Sequence, residues 1–271
     1  MQASKEELTQ LLWKATAGGT PKIIERLIDL GADPKAKDDE GEDALMRAAA
    51  EGDEKCLAAL IRHSDATAKA ENGRGETALM IAANFGHAAC VALLIPVSNP
   101  NATDAHGWTA LMHAVSDDQP ECARLLMPVS DAKQEDAQGR TALFHAALGR
   151  GECLKLLLPV SDPLVRDETG QTALMAALGH MVGADEYEEN PDFWRPLLPL
   201  SDLDAMDFDK ICVSDVAEAI QGETGRQIQG LIAAERDRRA LAAEVKKTGE
   251  TARKNQNNQE MEVLAKKPPR L

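Results

Sequence analysis

The chain has 271 residues and a formal net charge of −15, with 30 Lys and Arg against 45 Asp and Glu; this argues against a nucleic-acid-binding face, which needs clustered basic groups on the phosphates. Apolar residues make up 44% but aromatics only 3%, so the core must be built from Ala, Leu, Ile, Val and Met, and no run approaches the roughly 20 apolar residues of a membrane span. The opening MQASKEELTQ is too polar for a secretory signal, and Gln2 stands where myristoylation requires glycine; a cytoplasmic protein is expected. In chain order, a first helical unit is expected over 5–38, and from Gly41 onward one pattern recurs. GEDALMRAA at Gly41 returns as GETALMIAA at Gly75, GWTALMHAV at Gly107, GRTALFHAA at Gly139 and GQTALMAAL at Gly170, the glycines 34, 32, 32 and 31 residues apart. Cys56, Cys90, Cys122 and Cys153 keep nearly the same step, as do the Pro-Val-Ser triplets at Pro96, Pro128 and Pro159.

Each unit reads as helix, turn, helix and extended loop. Gly75 supplies a positive φ for a tight turn, and Thr77 sits where its side chain can cap the following helix. An Ala-rich helix then runs from Ala78 to about Phe85, and Gly86 breaks it. A second helix, Ala88 to about Ile95, puts Cys90, Val91 and Leu94 on one side. Pro96 disfavours further α conformation, and a polar loop leads to the next glycine. Six units follow at about 5–38, 39–72, 73–104, 105–136, 137–167 and 168–206, the last stretched by an insertion near 181–191. Capping helices are expected over 207–247, because an end unit has no neighbour to cover it. The polar 248–271, with Pro268-Pro269, is expected to be a disordered tail.

These residues resemble the ankyrin repeat family. The resemblance rests on the Gly-x-Thr-Ala-Leu openings, the pairs Ala82-Ala83 and Ala146-Ala147, the Gly86-His87 turn, Leu93-Leu94 and Asp104 before Gly107. Asp29-Leu30-Gly31-Ala32-Asp33 also matches the family's usual end to a second helix. Ala78 and Met80 depart from the Pro and His common in that opening. The resemblance implies an all-α solenoid of paired antiparallel helices with short hairpin-like loops, about six repeats plus a C-terminal helical cap. It also implies a binding face made of loop tips and the outer side of the first helices.

On that face the residues after the glycines vary: Glu42, Glu76, Trp108, Arg140 and Gln171. So do those after Leu-Met or Leu-Phe: Arg47, Ile81, His113, His145 and Ala176. His113 and His145 are expected on the outward side of their helices, in contact with solvent or a partner. Trp108, the one Trp at such a loop tip, is expected to anchor the partner, flanked by His113, Arg140 and His145. Arg47, Glu76, Ile81 and Gln171 complete the expected contact set. No catalytic, cofactor or metal site is expected. The cysteines lack a CxxC pair and repeat as core residues, and Asp202, Asp204, Asp207 and Asp209 lack the Gly and Glu of a calcium loop. The expectation is a non-enzymatic, monomeric scaffold for another protein, basic in character, with no nucleic acid or membrane involved. The alternative is an acidic inhibitor or antitoxin-like protein that blocks a basic nucleic-acid-binding or enzymatic partner. Ten acids against two bases from Gly183 to Asp215 make the acidity locally dense.

Overall fold

A computed structural model describes residues 4–63, 71–149, 151–182, 194–220 and 222–265, with 248–265 as backbone only. Among them are thirteen α-helices and no strand beyond two isolated bridges, Arg166–Thr172 and Met206–Cys212. The helices pair along the chain: α1 (Lys5–Ala17) with α2 (Pro21–Asp29), α3 (Ala44–Glu51) with α4 (Glu54–His63), α5 (Ala78–Asn84) with α6 (Ala88–Leu94). They continue as α7 (Ala110–Ser116) with α8 (Pro120–Leu126) and α9 (Ala142–Leu148) with α10 (Glu152–Leu157). Next, α11 (Ala173–Gly179) is followed by a short 3₁₀ turn (Arg195–Leu197), and α12 (Val213–Ala219) by the long α13 (Gly222–Ala265). The expected insertion near 181–191 lies largely outside the described residues.

Several helices begin and end for a local reason. Thr77, Thr109 and Thr172 accept hydrogen bonds from the N–H groups of Met80, Met112 and Met175, satisfying donors that the first turn leaves free. At two of these sites the methionine answers: the N–H groups of Thr77 and Thr109 donate to Met80 Sδ and Met112 Sδ at 3.4 Å. A thioether thus closes the capping box. At the other end, α6, α8 and α10 each stop two residues before Pro96, Pro128 and Pro159.

The core lies between the two rows of helices. The second helices bury Cys90, Val91 and Leu94, then Cys122, Ala123 and Leu126, then Cys153, Leu154 and Leu157. Burial pushes the Cys56 thiol up to about 12 and those of Cys90 and Cys122 to about 11, so these are inert packing groups. The Ala-rich first helices touch one another more extensively than the second helices do.

A backbone ladder joins the loop tips. The N–H groups of Gly73, Ala105, Ala137, Glu168 and Phe208 donate to the carbonyls of Glu40, Arg74, His106, Gln138 and Thr169, at 2.8–3.0 Å. Gly107 shows why glycine holds the turn: its φ is +81°, and a Cβ there would lie 2.6 Å from the Ala137 nitrogen. The fifth rung reaches Phe208, so the C-terminal cap is built on the same turn as the repeats. Lys210 takes the glycine's place there, at φ 63°.

The cap is longer than expected. Disorder was expected from residue 248, yet α13 runs on to Ala265. The segment is polar, but its Ala, Glu, Lys, Arg and Gln are strong helix formers.

Candidate functional site

The loop tips are organised by one side chain per unit, three residues before the glycine. Asp104 Oδ1 accepts the N–H groups of His106 and Trp108, both at 2.8 Å. Asp38, Asn72, Asp136, Asp167 and Asp207 make the same pair of bonds in their own units, at 2.8–3.0 Å. Fixing two N–H groups on one oxygen holds the tip rigid and leaves a buried carboxylate whose second oxygen needs a hydrogen-bonding or ionic partner.

The second variable row supplies that partner. Nine residues beyond the turn acid, Arg47 pairs with Asp38, His113 Nε2 with Asp104 Oδ2 at 3.1 Å, and His145 Nε2 with Asp136 Oδ2 at 2.8 Å. Where that position is Ile81, the turn residue is neutral Asn72. Where it is Ala176, Arg140 reaches over from the preceding unit to Asp167 Oδ2, at 3.1 Å. At these five turns, from Asp38 to Asp167, the charge is thus either partnered or absent.

This corrects the expectation of outward contact for three residues. His113 is 7% exposed, His145 3% and Ile81 6%; they support the face from beneath. Burial lowers the His145 pKa even though Asp136 opposes the shift. Burial also raises the Asp167 carboxyl, but hydrogen bonds from Thr169, the Gln171 N–H and Arg140 outweigh it and leave it below the ordinary range. Arg47 is half-buried, its guanidinium 5.4 Å from the Trp13 ring.

The first variable row forms the outer layer. Glu42, Glu76, Trp108, Arg140 and Gln171 are all half-buried, and three of them lie against the next unit. Trp108 is tilted against His145 at a ring separation of 4.2 Å and meets the edge of His113 at 5.3 Å, so it is more enclosed than a free loop tip. Arg140 reaches Asp167 with its guanidinium 5.2 Å from the Phe144 ring. Glu76 approaches Asp104 and His113: one carboxylate oxygen or ring nitrogen from each lies within 4.8 Å of the others. Beside this group opens a cleft of about 420 Å³, with Arg74 and His106 at its mouth and Trp108 in its wall. The sequence reading brought Glu76, Trp108, Arg140, His113 and His145 to one face, but Asp104, Asp136 and Asp167 were missed as its foundation. Their constant place before the glycine was the available signal.

Among the described helices none is long and apolar enough to cross a membrane. The ankyrin repeats family model, found in three copies, matches residues 11–104, 65–135 and 119–186. No curated protein matches the chain.

Proposed function

The chain belongs to the ankyrin repeat family, whose repeats generally serve as protein–protein interaction modules, and we propose that it is a non-enzymatic scaffold binding one partner protein along its loop tips. The observation that carries this reading is the outer row itself. Glu42, Glu76, Trp108, Arg140 and Gln171 present an acid, an acid, an aromatic, a base and an amide in sequence on a frame of identical turns. A rigid frame with a different group at each step can recognise an extended surface, and solenoids present such surfaces on their inner side. Trp108 is the aromatic anchor of the row. The five cysteines are free, which supports action in the reducing cytoplasm, and the reading takes the protein as a monomer. Net charge favours a basic partner.

Affinity capture from the source cell, followed by titration of the purified partner, tests the proposal. One-to-one binding should weaken by roughly tenfold or more in Trp108→Ala, about 1.4 kcal/mol, while the variant stays folded by circular dichroism. Undiminished binding by that variant would remove the loop tips from the interface. Binding lost entirely at about 0.5 M salt would favour the acidic-inhibitor alternative, because screening abolishes exposed charge pairing.

A further inference from the structure

We propose that the cleft beside Glu76 receives a basic side chain, arginine or lysine, of the partner protein, its cationic head on the Glu76 carboxylate and its stem along the Trp108 indole. This deepens the scaffold reading and rests on it for the source of the side chain. The cleft, about 420 Å³ in volume, is bounded by Arg74, Glu76, Asp104, His106, Trp108 and His113.

The chemistry of the walls selects the ligand. Asp104 is 4% exposed at its side chain and holds His113 and two backbone N–H groups; it adds negative field but offers little surface. Glu76 is the accessible acid. A cation placed between a carboxylate and an indole gains from both the charge and the ring quadrupole.

The site already accepts such a group. Arg74 Nε donates to Glu76 Oε2 at 2.8 Å, yet the Arg74 side chain is 71% exposed. The Glu76 side chain is 16% exposed and accepts Asn72 Nδ2 on the same oxygen at 2.8 Å, so the carboxylate stays in place, while the water-exposed Arg74 end is weakly held and an incoming cation that also covers Trp108 can displace it. Arg74 thus shows what the carboxylate binds.

The neighbouring intervals lack this arrangement. One unit further on, Trp108 itself lies on the His145–Asp136 pair, and in the next Arg140 neutralises Asp167. At those steps an indole or a guanidinium fills the forward position, whereas Glu76 leaves a second carboxylate beside the first. With a net charge of −15, the whole molecule steers cations toward such a site.

Proton–nitrogen spectra of the full chain, with the Trp108 indole assigned through Trp108→Phe, read the site directly. The probes are N-acetyl-arginine amide, N-acetyl-lysine amide and the neutral isostere N-acetyl-citrulline amide. The two cations should shift the Trp108 indole saturably and leave the Trp13 and Trp194 indoles in place, and the citrulline probe should not. Glu76→Gln, which installs the residue found at the equivalent Gln171, should weaken the cationic probes by roughly tenfold or more. Arg74→Ala, which removes the internal competitor, should bind them at least as tightly as the parent. Equal shifts with citrulline, retained binding in Glu76→Gln, or lost binding in Arg74→Ala would each overturn the assignment. So would zinc alone, if micromolar Zn²⁺ produced the shift and blocked the probes, since Glu76, Asp104 and His113 would then be metal ligands. If the probes bind but no protein is captured, the cleft stands and the scaffold reading falls. If a captured partner binds Glu76→Gln undiminished, the scaffold stands and the cleft assignment falls.

Discussion

The turn acid and the residue nine positions after it behave as a matched pair. Arg47, His113 and His145 vary in kind but share one task, binding the second oxygen of a carboxylate that the loop tip needs. Their variation looks like a recognition surface when only the helix is considered. Comparing the turn positions resolves it, because Asn72 appears where Ile81 carries no charge. The pairing has a pH signature. Unfolded, His145 titrates near 6.5; folded, it titrates lower, so below about pH 6.5 the unfolded chain binds more protons and stability falls as pH falls. His145→Gln should lower stability at pH 7.5 by about 1–3 kcal/mol, through the lost hydrogen bond to a charged group. It should also show a smaller drop in melting temperature between pH 7.5 and 5.5 than the parent. An unchanged drop would mean that His145 keeps an ordinary pKa. Lys210 offers a second test at this scale. It holds φ 63° where the repeats use glycine, a conformation that costs a side-chain-bearing residue about 1–2 kcal/mol. Lys210→Gly should raise the thermal midpoint by roughly 2–4 °C, after its own loss of chain entropy is subtracted; a fall would show that the Lys210 side chain stabilises the cap more than the strain costs.

Helix positions followed from local chemistry. Thr caps, proline stops and the i, i+1, i+4 burial of the second helices were all written in short windows of sequence, and the structure places them there. The loop-tip ladder was not, because it joins backbone groups 30 to 39 residues apart and no side-chain pattern encodes it. The polar composition of 248–265 conceals its helix propensity, and α13 runs on to Ala265. α13 docks through its first half. Ile228 and Ile232 enter the core, Arg236 donates to the Leu203 carbonyl at 3.2 Å, and Arg239 donates to that of Leu198 at 2.8 Å. Further on, Leu241 and Val245 are exposed. A chain ending at Lys247 should therefore melt within about 2 °C of the full length, as expected of surface change. Ending it at Ile220 would uncover the apolar surface beneath Ile228 and Ile232 and free the two arginine-bound carbonyls. That shorter chain should aggregate or melt far lower, and equal stability in light scattering and calorimetry would show that α13 is not a cap.

A stack of units that touch only their neighbours has stability distributed along one dimension. Weakening one interface should have consequences set by its position as well as by its local cost. Leu111 in α7 and Leu12 in α1 are both fully buried to within 1%, so replacing either by Ala removes a similar apolar volume, at about 2–5 kcal/mol. Leu12 sits in the first unit, and its loss frays an end that has a neighbour on one side only. Leu111 sits between α5 and α9, and its loss weakens both central interfaces at once. Trp13 in α1 and the buried Trp194 near the other end report the two halves separately. In urea, the parent should show coincident transitions at the two tryptophans, each read in a variant lacking the other reporter and Trp108. Leu111→Ala should separate the midpoints, because the halves no longer support each other across the centre. Leu12→Ala should shift the Trp13 signal to lower urea and leave the Trp194 midpoint nearly in place. Coincident transitions in Leu111→Ala, with both midpoints lowered together, would mean that the interfaces are strong enough for the solenoid to unfold as one unit even with its centre hollowed.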